Sequence, residues 1–268
     1  MTMAGIAAML DVRLPLRPGA RVAPPELEDA LARLGLRVRG GFATERETDG
    51  AILAEAPWAR TLVLIGNVGS ELWDLSGAEI AAMTGPNPLD RWTRQVVDPL
   101  ARAIGGVALY PFVGPPYWPF QRWAERAEGV RSSPIGIQIH PEYGLWHAYR
   151  AAILLPVTMN LSSPEAGAHP CDTCVDRPCL THCPVGAFSP AGYDVDRCVA
   201  HVVAVQYEPG SCSDVGCLAR LACPVGAGWR YRPDHARFHM AAFVKARMLS
   251  KRKALLIKSP EDVDRTKA

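Results

Sequence analysis

All eight cysteines of this 268-residue chain fall between Cys171 and Cys223. They form two groups, Cys171-x2-Cys174-x4-Cys179-x3-Cys183 and Cys198 followed by Cys212-x4-Cys217-x5-Cys223. Each group ends in the same pentapeptide, Cys-Pro-Val-Gly-Ala, at 183–187 and again at 223–227. A duplicated run of thiols either binds metal or pairs with itself. Two cysteines three residues apart can present their sulfurs to neighbouring metal atoms from one loop, and thiolates suit soft metals such as iron and zinc. Three readings stay open on the residues alone: two iron–sulfur clusters, two structural zinc ions, or disulfides in an exported protein.

The doubled Cys-Pro ending resembles that of bacterial two-cluster ferredoxins, in which the Cys of each Cys-Pro ligates the other half's cluster. The resemblance implies two [4Fe–4S] clusters. Cys171, Cys174, Cys179 and Cys223 then serve one, and Cys183, Cys198, Cys212 and Cys217 the other. With eight thiolates to hand no histidine ligand is needed, so His182 and His201 are expected to be surface or packing residues.

A formal net charge of +2 gives no electrostatic case for nucleic acid as a partner. The longest apolar run, Ala151 to Val157, is too short to span a bilayer. The first ten residues are apolar, but no basic stretch precedes them and no clear cleavage site follows, so a signal peptide is not expected. A cytosolic setting would keep the thiols reduced and ready for metal. Twenty-four prolines and twenty-three glycines imply many loops, while 49% hydrophobic residues imply a folded core.

Along the chain, Glu26–Leu34 reads as a short helix stopped by Gly35, and Leu36–Arg39 alternates like a half-exposed strand. Thr61–Ile65 is a continuous apolar run, expected to be a buried strand. It leads through Gly66-Asn67-Val68-Gly69-Ser70 into a helix over Glu71–Met83. Such a turn can hold an anion, but the Lys-Ser/Thr of a P-loop is missing, and an ordinary turn is the expectation. Asn87-Pro88 opens a helix whose apolar face is Trp92, Val96, Val97, Leu100 and Ile104. Val107–Tyr110 reads as a strand, Pro111–Pro119 as an extended loop, Gln121–Glu128 as a helix, and Ile135–Ile139 and Ala151–Val157 as strands. His235–Lys258 reads as a helix that grows basic through Lys245, Arg247, Lys251, Arg252 and Lys253. That face is either solvated or a dock for an acidic electron donor.

Before the cysteines lies His140-Pro141-Glu142-Tyr143-Gly144-Leu145-Trp146-His147-Ala148-Tyr149-Arg150, then an apolar stretch ending Leu154-Leu155-Pro156. On its own this is a turn between two strands whose His, Trp and Arg could simply pack and pair. With Gly136 and Ile139 it resembles the cobalamin-processing family of decyanases and dealkylases (the MMACHC, or CblC, type). That family carries a similar Gly-x-x-Ile-His-Pro-x-Phe-Gly-Gly-Trp-x-x-x-Arg, and Pro88-Leu89-Asp90 also falls in a similar order. The resemblance covers roughly residues 60–158. It implies a flavin-reductase-like sheet that holds a corrinoid, with His140, Gly144 and Trp146 at the corrinoid and Arg150 on the co-substrate side. Leu145 replaces the second glycine and Glu142 a basic residue, departures that speak against glutathione as co-substrate. The cysteine region, with Asp196-Arg197-Cys198 between its groups, resembles the end of epoxyqueuosine reductase and of the corrinoid reductive dehalogenases.

Together these imply an α+β protein. A mixed-sheet corrinoid-binding domain over residues 1–160 precedes a two-cluster ferredoxin-like domain over 161–235 and a basic helix and tail over 236–268. The expected activity is that of an iron–sulfur oxidoreductase whose clusters reduce a bound cobalamin and so remove its upper ligand. Electrons would come from a donor such as a flavodoxin, a ferredoxin or a reductase. Two rivals stay open: reduction of an organic substrate, as in epoxyqueuosine reductase, and an electron carrier that binds no corrinoid.

Overall fold

The computed structural model describes residues 25–159, 167–189, 191–206 and 208–257. The expectations placed on the first ten residues, on the side chains of Lys251, Arg252 and Lys253, and on Lys258 fall outside what is described. The chain forms two compact units. The first comprises the chain up to Ser133 together with Ile137–Val175 and Val225–Arg230, and the second comprises Pro134–Gly136, Asp176–Pro224 and the chain from Tyr231 onward. A division at residues 160 and 235 therefore differs from this one: the first two cysteines and a short returning segment belong to the first unit.

In the first unit, Pro25 opens helix α1 (Pro25–Ala32), where its missing N–H would be unpaired in any case. Strand β1 (Arg37–Ala43) follows, then a one-and-a-half-turn helix α2 (Gly50–Glu55) too short to leave a periodic signal. Strand β2 (Thr61–Val68) is buried at every position, as an apolar run covered on both faces should be. Burial of each of its Leu62, Val63, Leu64 and Ile65 contributes about 1.5–3 kcal/mol. Helices α3 (Glu71–Ala82) and α4 (Pro88–Ala103) cross over to strand β3 (Val107–Leu109). The expected stripe of α4 is buried, Trp92 and Val97 completely. Helix α5 (Phe120–Glu128) follows the proline-rich loop. A two-residue ladder then joins β4 (Arg131–Ser132) to β5 (Gln138–Ile139), and β6 (His147–Leu155) closes the sheet.

The four-stranded sheet runs β1-β2-β6-β3 with every pairing antiparallel, where a mixed sheet was the expectation. The reason is topological. The helical crossover does leave β2 and β3 running in the same direction, but β6 lies between them and pairs with both. Phe120, Trp123 and Ile52 pack on Leu62, Leu64, Ala152 and Leu154. The alternate residues Val63, Ile65 and Ile153 are equally buried, and α3 and α4 contact β2 and β6. The expected strand over Ile135–Ile139 shrinks to Gln138–Ile139, because residues 134–136 pack with the second unit. The strand expected from Ala151 starts four residues earlier, at His147.

The second unit is made of short elements: α6 (Pro178–Thr181), the hairpin strands β7 (Phe188–Ser189) and β8 (Gly192–Tyr193), α7 (Val195–Ala204), α8 (Cys212–Val215), α9 (Leu218–Leu221) and the long α10 (Pro233–Ile257). Asp194 caps α7 by accepting from the Arg197 amide at 2.9 Å. Helix α10 packs on α7 and α8, and α6 packs on α9. Among the described residues of this unit no leucine, phenylalanine or tryptophan is buried; Cys179, Cys212 and Cys223 are. A unit so poor in large apolar side chains has little hydrophobic stabilisation of its own.

Candidate metal centre and the His-Pro hairpin

None of the eight cysteines is in a disulfide. In the second unit Cys198 and Cys212 lie within electrostatic reach of Cys183, and Cys217 within reach of Cys198 and Cys212. Burial first, then the charge of Cys183, pushes the Cys198 thiol up, and the hydrogen-bonded Tyr193 hydroxyl opposes that rise. Burial, with Cys198 and Cys183, pushes Cys212 up. Burial, with Cys212 and Cys198, pushes Cys217 up to about 11. These are the four cysteines that the ferredoxin resemblance assigns to one cluster, including Cys183 from the first pentapeptide. As a donor set, four half-buried or buried thiols suit a cationic iron centre, which deprotonates its thiol ligands outright. Among the described residues, no three His, Cys, Asp or Glu side chains converge on a point that a single metal ion could occupy.

Of the other four, Cys171 and Cys174 lie in the first unit and Cys179 and Cys223 in the second. Cys171 and Cys174 share one turn (Cys174 N to Cys171 O, 3.4 Å), and the Cys171 amide donates to His169 Nδ1 at 3.3 Å. His182 is exposed and binds the Pro178 carbonyl through Nδ1 at 2.9 Å, and His201 is half-buried on α7. Lys245 and Arg247 are exposed on α10.

The His-Pro segment of the first unit is a tight hairpin. His140 and Gly144 exchange two backbone hydrogen bonds of 2.9 Å. The His140 ring accepts at Nδ1 from the amides of Glu142 (3.1 Å) and Tyr143 (3.2 Å) and stacks on Tyr143 at 4.3 Å. Gly144 has φ +58, and a Cβ there would sit 2.0 Å from the Val225 carbonyl oxygen. Gly226 reciprocates, since a Cβ on it would lie 2.3 Å from the Tyr143 carbonyl carbon. Gly144 is thus required by close backbone packing, where the resemblance had placed it at a ligand. Trp146 is 2% exposed. Its indole offers a ligand almost no surface, and its place is in the core behind the hairpin.

Arg150 also has an internal role. It donates to Asp90 (2.8 Å) and Thr93 (3.3 Å), tying β6 to the first turns of α4. It stands where the β2–β6 register slips between Ile65 and Gly66, and the bulge turns its side chain towards α4 while Tyr149 packs with the cluster around Leu62 and Leu64. Gly66, expected in a turn, lies in β2, which runs on to Val68 before the turn into α3.

Sequence reasoning did not find the buried centre of this region. Arg39, 2% exposed and set at a second bulge in β1, makes two hydrogen bonds to Glu128 of α5 (2.8 and 2.9 Å). It also reaches His147 Nδ1 at 3.3 Å and lies over the rings of Tyr143 and Tyr149. Tyr149 donates to Glu128. The partners are 89 and 108 residues from Arg39 in the chain, so no local pattern announces them.

No family model matches the chain, and no curated protein matches it. Among solved structures it is similar to a selenomethionine-labelled epoxyqueuosine reductase, at 16% identity and a TM-score of 0.48 over 79% of this chain and 68% of that one. An epoxyqueuosine reductase with an epoxyqueuosine-modified tRNA-Tyr stem loop gives 16% and 0.44, over 88% and 69%. The B12-trafficking protein CblC of C. elegans, a homologue of human MMACHC, gives 12% and 0.42, over 88% and 91%. One of the three is seen with RNA. With every TM-score below 0.5, the functional reading rests on the chain's own residues.

Proposed function

We propose that the chain is a two-cluster iron–sulfur oxidoreductase that delivers electrons to a bound corrinoid, with removal of the upper ligand of cobalamin as its activity. The observation that carries the reading is the electrostatic coupling of Cys198 and Cys212 to Cys183, and of Cys217 to Cys198 and Cys212, in a unit whose described buried residues include three cysteines and no leucine, phenylalanine or tryptophan. Those four would hold one cluster, and Cys171, Cys174, Cys179 and Cys223 the other. When bound, the clusters supply one-electron transfer and the corrinoid a metal that can lose or exchange an axial ligand.

The chain's own residues do the rest. The thiolates fix the clusters and set their environment. The His140–Gly144 hairpin, held from behind by Val225–Gly226 and Trp146, presents His140 to the corrinoid. Arg150, tied to Asp90, steadies β6 and is assigned to the co-substrate side. A flavodoxin, ferredoxin or reductase is the proposed electron donor.

Anaerobic reconstitution tests the reading. It should give about eight irons and eight sulfides per chain, a brown colour, and bleaching by dithionite. Added cyanocobalamin should then lose its cyanide spectrum only in the presence of the reduced protein. Stoichiometric zinc without iron, or clusters without any change in cobalamin, would overturn the proposal, the second outcome leaving an electron carrier.

A further inference from the structure

In the second unit, the sulfurs of Cys183, Cys212 and Cys217 take backbone N–H groups: Cys183 from Ala187 at 3.3 Å, Cys212 from Leu218, and Cys217 from Arg220 and Ala219. Cys198 differs, because the group that reaches its sulfur is a side chain, the hydroxyl of Tyr193. Two pieces of local structure bring that pair together. Strands β7 and β8 pair Phe188 with Tyr193, and the two rings stack at 4.7 Å with 16° between their planes. Directly after Tyr193, Asp194 caps α7, and its carbonyl accepts from the Cys198 amide at 3.2 Å, which sets Cys198 one turn into the helix. The Asp194 amide donates back to the Ala187 carbonyl at 2.8 Å and ties the helix start to the hairpin. A tyrosine that is 41% exposed needs no protein partner for its hydroxyl, yet stack and cap direct this one to sulfur. A thiolate that holds iron has lone pairs and no proton, so the O–H donates and the sulfur accepts.

We propose that Tyr193 raises the reduction potential of the cluster assigned to Cys183, Cys198, Cys212 and Cys217, through its hydrogen bond to the Cys198 sulfur. The inference rests on the cluster reading above. The step concerned moves one electron and no proton. The electron donor is oxidised, the cluster is reduced, and the O–H bond of Tyr193 stays intact. Reduction adds negative charge that the four sulfurs share, so a donor aimed at one of them stabilises the reduced state more than the oxidised one. A weaker reductant can then fill this cluster. Tyr193 acts through Cys198, as a positioning residue rather than a catalytic one.

The test uses the full chain, reconstituted anaerobically and titrated with dithionite in the presence of redox mediators, with the paramagnetic signal of each cluster followed separately. The signal that disappears in Cys198→Ser identifies the cluster concerned. Tyr193→Phe keeps the ring and its stack on Phe188 and deletes the donor. At a fixed potential the ratio of reduced to oxidised cluster should fall about tenfold, a midpoint lower by about 59 mV for a one-electron couple. The other midpoint, the iron content and the melting temperature should hold. 3-Fluorotyrosine at position 193, a stronger donor of nearly the same size, should move the midpoint upward. An unchanged midpoint in a loaded Tyr193→Phe, an equal shift of both clusters, or failure of that cluster to assemble without the hydroxyl would overturn the inference while leaving the cluster reading intact. Wild-type protein with no iron–sulfur signal would sink the cluster reading and the role assigned here with it.

Discussion

The two copies of Cys-Pro-Val-Gly-Ala are identical in sequence, and both place their glycine in the left-handed region, Gly186 at φ +58 and Gly226 at φ +67. What surrounds them differs. Nothing lies within 4 Å of where a Cβ on Gly186 would be, whereas a Cβ on Gly226 would meet the Tyr143 carbonyl carbon at 2.3 Å and the Gly144 amide at 2.5 Å. The pentapeptide therefore sets its own turn in both places, and tertiary packing has taken up only the second copy as a clamp on the His-Pro hairpin. A duplicated motif can keep one chemistry at its cysteine while its glycines diverge in what they hold together.

At the cysteines the copies should behave alike. Cys183→Ser should remove the cluster assigned to Cys198, Cys212 and Cys217, and Cys223→Ser the one assigned to Cys171, Cys174 and Cys179. Each variant should lose about half of the bound iron, with a different paramagnetic signal missing in each, if each Cys-Pro cysteine serves the opposite half as it does in two-cluster ferredoxins. Loss of the same signal in both would break the equivalence.

Behind the clamped copy, Trp146→Ala empties a fully enclosed site. A loss of about 3–5 kcal/mol is expected for a buried tryptophan, read as a lower melting temperature with iron content retained. A Trp146→Ala protein that melts like wild type but binds less cobalamin would put the indole at the ligand after all. At the glycines the copies should part. Gly226→Ala adds to the left-handed penalty of about 1–2 kcal/mol the displacement of a neighbouring backbone, for a total of about 3 kcal/mol or more. Gly186→Ala carries the first cost alone, about 1 kcal/mol after the gain from a stiffer unfolded chain. Equal melting temperatures for the two variants would show that the clamp contributes nothing.

How much of this was legible in the sequence follows from the range of the forces involved. The stripe of Trp92, Val96, Val97 and Leu100 and the run Thr61–Ile65 are local periodicities, and each formed the element expected of it. The proposed cysteine sets rest on spacing and a repeat alone, the part of the chemistry that a sequence can carry. Strand β6 was clipped at its start because His147, Tyr149 and Arg150 interrupt the apolar run, and their partners, Arg39, Glu128 and Asp90, lie far away in sequence. The same holds for Gly144. A motif can say that glycine belongs there, but the reason is a carbonyl 81 positions later in the chain. Both bulges, which aim Arg39 and Arg150, leave no mark in composition or period.

The smallest expected effect separates the two copies by pH. The amides of Glu142 and Tyr143 in the clamped hairpin end on His140 Nδ1, whereas the turn at Gly186 closes on the Cys183 carbonyl (3.1 Å) and places the Ala187 amide on Cys183 Sγ (3.3 Å). His140 has its pKa lowered from 6.5 to about 4 in the folded chain, by burial first and by Arg39 second. Between those two values the unfolded chain binds the extra proton and the folded chain does not, so the stabilisation is complete above about pH 6.5 and declines as the pH falls. As the pH nears 4, protonation at Nδ1 turns the acceptor of the two hairpin amides into a donor. Their hydrogen-exchange protection, corrected for intrinsic rates, should fall across this window, while that of Gly186 and Ala187 should not, since neither amide ends on a histidine. His140→Asn should flatten the hairpin's dependence, because an amide oxygen accepts the same two N–H groups at every pH. A parallel decline at both turns, persisting in His140→Asn, would assign the loss to general acid loosening and remove His140 from its cause.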